Sequence, residues 1–259
     1  MKRALLIGIN YIGSSCELNG CVNDVMNIKK LLIESFKYKE ENIIMLDDAG
    51  QNPLKPTKAN ILKYIDVVVS KTNVGDTLFL HYSGHGSQVD DLNGDEKSNI
   101  EAPGQDDVLC PCDYANFPGT EGFILDDYLK TNIVNKLPKG AKLRAIFDCC
   151  YSGTMLDLPF IYRNNELKIV ENLCLGTDNC ITISGCRDNQ TSADAFINRQ
   201  YSGALTWALL KVLTNVNKVP TTWNLLLTVT QHYLATDGYE QVPVMCVGNK
   251  QLLKTKIDL

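Results

Sequence analysis

Leu78-Phe-Leu-His-Tyr-Ser-Gly-His85-Gly86 and Leu143-Arg-Ala-Ile-Phe-Asp148-Cys149-Cys150-Tyr-Ser-Gly153 are built to one plan. Each is an apolar, strand-like run that breaks into small residues and glycine. One delivers a histidine at its C-terminal end, the other a cysteine. If the two strands are parallel neighbours, both side chains reach the same edge of the sheet. Open α/β sheets bind ligands at that edge. A thiol beside an imidazole is the minimum for a cysteine nucleophile, because the base raises the thiolate fraction.

Further strand-like runs lie at Ala4–Ile9, Ile43–Leu46, Ile181–Ser184 and Val242–Val247. Between them sit helix-like runs, roughly Cys21–Phe36, Lys58–Ser70, Asp126–Asn135, Gly203–Leu213 and Thr222–Ala235. Asn23-Asp24 and Thr57 suit helix starts as caps or first-turn residues. Alternation of this kind predicts an α/β fold, a mostly parallel sheet with helices on both faces and right-handed crossovers. Two segments break the rhythm and read as irregular. Gln88–Gly122 is acidic and rich in Gly, Asn and Pro, and Leu158–Thr177 follows the cysteine strand. One domain over 1–259 is expected, with a large part (1–157), a connecting loop (158–177) and a small part (178–259).

The chain has 259 residues, 44% hydrophobic and 21% charged, which is ordinary globular composition. A net charge of −5 argues against a broad nucleic-acid footprint and suits cationic substrates. The apolar start at Met1 ends at Ile9 without a small-residue cleavage site, so it reads as a buried strand and not a signal peptide. No run reaches the ~20 apolar residues of a membrane span. A soluble, cytoplasmic protein without membrane contact is expected. At this length, ten cysteines and no secretory signal suggest reduced thiols. Cys110-x-Cys112 and Cys149-Cys150 lack zinc-ligand spacing, and only three histidines are present.

Cys149 and Cys150 compete for the nucleophile's role, since neighbouring strand residues point to opposite faces. Position next to the turn favours Cys150. His81, inside an apolar run, reads as a core residue. His85, between two glycines, can approach a ligand closely. The Gly86 and Cys150 N–H groups could polarise a carbonyl. Asp148 lies two positions before Cys150 and shares its face on a strand.

Tyr82-Ser-Gly-His85-Gly and Asp148-Cys-Cys150-Tyr-Ser-Gly resemble the histidine and cysteine motifs of metacaspases, the caspase-like cysteine peptidases of non-animal lineages. The resemblance continues in Gly20-Cys-Val-Asn-Asp24, Asp126-Asp127, Ile183-Ser-Gly-Cys-Arg-Asp-Asn-Gln-Thr-Ser-Ala-Asp194 and Gly203-Ala-Leu-Thr-Trp-Ala. It implies a caspase-like three-layer sandwich and a monomer. The first strand begins at Met1, which fits a type I-like core without the N-terminal prodomain. Tyr151 departs from the family, which often has histidine there.

By this resemblance His85 is the base and proton shuttle, and Cys150 is the nucleophile that forms an acyl-enzyme. No third group orienting the histidine is evident in the sequence. Asp24, Ser83 and Asp148 would line the pocket for the residue before the scissile bond, and two carboxylates there favour Arg or Lys. Asp106, Asp126, Asp127 and Asp157 would form a calcium site, with Asp107 as the alternative to Asp106. Hard carboxylate oxygens suit Ca²⁺. A standard EF-hand is excluded, because aligning Gly94 puts Val89 and Ile100 at ligand positions. Self-cleavage after Arg163 or Lys168 is expected in the 158–177 connection. The other reading is a catalytically silent caspase-like scaffold, against which stand His85 and Cys150 themselves. A phosphatase is disfavoured because Tyr-Ser-Gly after Cys150 supplies no phosphate-binding arginine.

Overall fold

The computed structural model describes residues 1–50, 52–91, 104–169, 178–185, 194–197, 200–215 and 221–259. Its centre is an eight-stranded sheet. In chain order the strands are β1 (Lys2–Gly8), β2 (Ile43–Asp47), β3 (Thr77–Ser83), β7 (Lys142–Asp148), β8 (Phe160–Arg163), β9 (Glu166–Ile169), β10 (Cys180–Ser184) and β13 (Val244–Val247). Across the sheet they run β2-β1-β3-β7-β10-β13-β8-β9. The first five in that order are mutually parallel, and β13, β8 and β9 complete the edge in antiparallel fashion.

Alternation along the strands builds two cores. Leu5, Ile7, Leu78, Leu80, Leu143, Ala145 and Phe147 face one way, under helix α2 (Lys58–Ser70) and the helical segment of α3 (Asp126–Leu129), which continues as a wider turn over Lys130–Val134. Ala4, Leu6, Phe79, Ile146, Ile181 and Ile183 face the other way. There they meet α1 (Cys21–Glu34), α4 (Ala204–Leu213) and α5 (Trp223–Thr236). Burial on both faces explains why the central strands read as continuous apolar runs. The expected three-layer α/β sandwich is the observed one. Thr57 caps α2, its Oγ1 accepting the Asn60 N–H at 3.2 Å.

The two irregular segments differ from expectation. β4 (Gly86–Asp90), β5 (Gln105–Leu109) and β6 (Ile124–Leu125) form a small antiparallel sheet within and beside the acidic segment. Their polar sequences carry little apolar alternation, so nothing marked them as strands. The connection after Cys150 holds the β8–β9 hairpin, whose outer strand is exposed along its length. Asn164 and Asn165 turn it with φ of 50° and 64°. β13 begins at Val244, after Pro243, which has no N–H for a ladder. A second hairpin, β11 (Asp194–Ile197) and β12 (Gln200–Gly203), leads into α4. Residues 92–103, 170–177 and 186–193 lie outside the described residues. They include Asn93, Gly94 and Ile100 of the rejected EF-hand alignment and much of the Ile183–Asp194 motif.

Candidate active site

β3 and β7 are parallel neighbours, with Ser83 opposite Asp148. His85 and Cys150 each follow that pair by two residues, so both leave the sheet at one edge. Gly86 confirms how close the two turns come. A Cβ there would lie 2.1 Å from the Cys150 carbonyl oxygen and 3.2 Å from Cys149 Sγ. Only a residue without a side chain permits that approach. Cys149 is buried in the core, whereas Cys150 is half-exposed at the edge. Of the two, Cys150 is therefore the accessible thiol. Tyr151, next in the chain, takes φ of 49°, a strained value for a residue with a side chain.

His85 is held from several sides. Its Nε2 lies 2.7 Å from the carbonyl oxygen of Cys16, in the loop between β1 and α1. A carbonyl only accepts, so Nε2 is the donor in this contact and Nδ1 is the ring nitrogen left for other partners. This is the orienting group that side-chain reading missed, because a backbone carbonyl has no residue identity. His81 is fully buried, with Nε2 3.2 Å from Thr206 Oγ1, and burial lowers its pKa to about 3. It is a neutral core residue, as read. Burial also pushes the Cys110 and Cys180 thiols up to about 12 and Cys112 up to about 11. Burial thus favours the neutral thiol over the thiolate at each of these positions.

Asp24, Ser83 and Asp148 come together below the dyad. Asp24 opens α1 but does not cap it. Its carboxylate accepts from Ser83 Oγ at 2.7 Å, from Ser202 Oγ and from the Gly203 N–H. Asp148 accepts the Thr206 N–H at 2.7 Å, inside the first turn of α4. The N-cap of α4 is Gly203, which has no side chain to offer, so Asp148 serves that helix from another strand. Both carboxylates are nearly inaccessible. Burial first, and the Asp148 charge second, hold the Asp24 pKa well above the usual carboxylate range.

The acidic residues of the second cluster lie on β5, at the start of α3 and after β7. Asp126 accepts the N–H of Asp107 at 3.0 Å and of Asp127 at 2.9 Å. Asp107 accepts from Gln88 at 3.0 Å and from Thr154 at 3.2 Å. Asp106 is buried on β5. Asp157, at φ of 44°, lies 3.9 Å from Lys130 Nζ. These are hard-oxygen donors of the kind calcium takes. Among the described residues no three acidic, cysteine or histidine side chains converge as a ready-made cation cage. Arg163 ends β8 at the hairpin tip, and Lys168 sits in the β9 ladder opposite Ile161.

Comparison with known proteins agrees with this geometry. Residues 2–159 match the family model for the metacaspase, peptidase C14 domain. Metacaspase-1 of Meyerozyma guilliermondii is 36% identical over 96% of this chain and 70% of its own length. Metacaspase-1B of Neurospora crassa is 38% identical, and Metacaspase-1 of Kluyveromyces lactis 36% identical, each over 82% of this chain. The chain spans 59% of the length of each of those two relatives. A solved protein of Geobacter sulfurreducens shares the fold, with a TM-score of 0.68 at 22% identity over 99% of this chain and 98% of its own. With its histidine and cysteine at one sheet edge, this chain belongs to the metacaspases, a family of cysteine peptidases.

Proposed function

We propose that this protein is a calcium-stimulated cysteine endopeptidase that cleaves after Arg or Lys. The observation that carries it is the meeting of the His85 and Cys150 turns, with Gly86 packed against the nucleophile's backbone. His85 Nδ1 takes the proton of the Cys150 thiol, and the thiolate attacks the scissile carbonyl. The N–H groups of Gly86 and Cys150 receive the developing oxyanion. His85 returns the proton to the leaving amine, and water then hydrolyses the thioester.

Preference for a basic residue is supported by the two carboxylates of Asp24 and Asp148 beside Ser83, a pair that a guanidinium or ammonium would neutralise. Calcium is supported by the donor chemistry of Asp106 or Asp107, Asp126, Asp127 and Asp157. Self-cleavage fits Arg163 better than Lys168: Arg163 adjoins an exposed turn, while Lys168 is held in a ladder. Peptidases need an extended stretch of substrate, so either cut requires the hairpin to open. Protein or peptide substrates and a monomeric enzyme complete the reading. Among the described residues no helix is long and apolar enough to cross a membrane.

The test is hydrolysis of paired fluorogenic peptides ending in Arg or Asp, with calcium or chelator, by the protein and by Cys150→Ala. Calcium-dependent release from the Arg peptide, lost in the variant, is expected. Release from neither peptide, or equal release from the variant, overturns the proposal.

A further inference from the structure

We propose that Tyr11 is the positioning residue of the dyad, acting on His85 through its hydroxyl, its ring and the turn that it opens. The inference rests on the assignment of His85 and Cys150 as the reacting pair. Tyr11 follows β1 at the same sheet edge and is almost fully buried.

Two direct contacts and one through the turn lead from Tyr11 to the histidine. The Tyr11 hydroxyl accepts the His85 backbone N–H at 2.9 Å and donates to the Cys110 carbonyl at 2.6 Å. Its ring lies 4.6 Å from the imidazole, centroid to centroid, at 37°. Its carbonyl accepts the Ser14 N–H at 3.0 Å, starting the turn that brings the Cys16 carbonyl to His85 Nε2. The side chain of Tyr11 thus holds the backbone and the ring of His85, and its own carbonyl anchors the turn that reaches Nε2.

Tyr11 also takes φ of 53°. A bulky residue keeps such a conformation only where its surroundings over-determine it, and such positions cluster at functional sites. Here the surroundings are the histidine and the second phenol, Tyr82. The Tyr82 hydroxyl lies 3.2 Å from that of Tyr11 and donates to the His85 carbonyl at 2.8 Å. Tyr82 grips the backbone alone, whereas Tyr11 also touches the imidazole. Burial raises the Tyr11 pKa well above the phenol's usual value, so the hydroxyl keeps the proton it donates to Cys110.

The experiment compares Tyr11→Phe, which keeps the ring, and Tyr11→Leu, which loses ring and hydroxyl, with the unaltered protein. The first readout is the rate at which iodoacetamide alkylates Cys150 at pH 6.5 and pH 9, with Cys150→Ser as the blank. A well-placed imidazole supplies thiolate at the lower pH, while at the higher pH the thiolate forms unaided. Tyr11→Leu should react about tenfold more slowly at pH 6.5 and recover at pH 9, and Tyr11→Phe should lose about threefold. The second readout is cleavage of the Arg peptide, where kcat should fall in that order with KM within about twofold. Alkylation profiles that superimpose on the unaltered protein overturn the proposal. So does an equal loss at both pH values, the mark of a merely structural role. If Leu prevents folding, the Phe variant decides. The alkylation arm needs no substrate, so an enzyme that ignores Arg peptides would refute the specificity and leave this test standing.

Discussion

The backbone N–H of Gly203 donates to both carboxylate oxygens of Asp24, at 3.2 and 2.9 Å. Gly203 thus sits against the acidic pair and takes part in holding it. A Cβ at this position would lie 2.2 Å from Asp148 Oδ2 and 2.9 Å from Asp24 Oδ2. Both oxygens are fixed by other donors, so neither can withdraw cheaply. Gly203→Ala should lower kcat/KM on an Arg peptide about 100-fold, with a stability cost of about 1–3 kcal/mol for the overpacking. Steady-state kinetics and thermal unfolding check this. An unchanged kcat/KM would show that the pair can be displaced without affecting recognition.

On the proposed specificity, the same pair should make recognition depend on pH. The raised Asp24 pKa means that the folded protein keeps a proton there over a window in which the unfolded chain, with a value of about 3.9, has released it. Its contribution to stability therefore declines as pH rises from the unfolded value through the folded one, and is flat above. For a basic substrate the sign is opposite, since the pair becomes more negative as pH rises. KM for an Arg peptide should fall with rising pH through the Asp24 titration. In Asp24→Asn that slope should vanish, with KM higher at alkaline pH. Parallel KM profiles for the two proteins would remove Asp24 from charge recognition.

Arg144 fastens the C-terminal tail to the sheet. It is 1% exposed, in the middle of β7. Its Nε and Nη2 reach Asp258 at 2.8 and 3.1 Å, and its Nη1 donates to the carbonyls of Leu143 and Asn179. Removing Asp258 would leave a buried guanidinium short of its charge partner. Asp258→Ala should cost about 3 kcal/mol, measured by urea unfolding. Burial works against ionisation of Asp258, but the Arg144 and Lys142 bonds outweigh it and lower the pKa. Its stabilisation is present above the unfolded value and is lost as pH falls through the lowered one. The variant should accordingly be less acid-sensitive than the parent. A variant as stable as the parent at neutral pH would show that water replaces the carboxylate at no cost.

What could be read from the residues, and what could not, follows from where each signal resides. β3 and β7 were legible because burial on both faces leaves uninterrupted apolar runs. His85 and Cys150 were legible because turns rich in small residues follow those runs. Which of Cys149 and Cys150 is accessible needed burial, which alternation along a strand implies but does not orient. Cys16 was invisible because its contribution is a carbonyl, and Tyr11 because an aromatic residue near a core strand reads as packing. The role of Arg144 carries no local signal, since its partner Asp258 lies over a hundred residues away. The β4–β5 sheet escaped because its strands carry aspartates where alternation would need apolar side chains.

Lys130 gives the calcium proposal its sharpest test. Its ammonium stands 3.9 Å from Asp157, with both side chains largely buried. A cation drawing on Asp157 must compete with that ammonium, while Asp107 and Asp126 already accept hydrogen bonds from Gln88, Thr154 and the Asp107 N–H. Lys130→Gln keeps much of the side chain's length and removes its charge. Calcium should then bind more tightly, so the concentration that half-saturates the rise in Tm should fall several-fold. At one hundred times Kd the ligand adds about 2.7 kcal/mol to stability, enough to read in a thermal scan. Asp157→Asn should shift the midpoint the other way. The reading requires chelator to return every profile to that of the metal-free protein. If calcium leaves the Tm of all three proteins unmoved, these carboxylates hold no ion, and Lys130 is only the neutralising partner of Asp157.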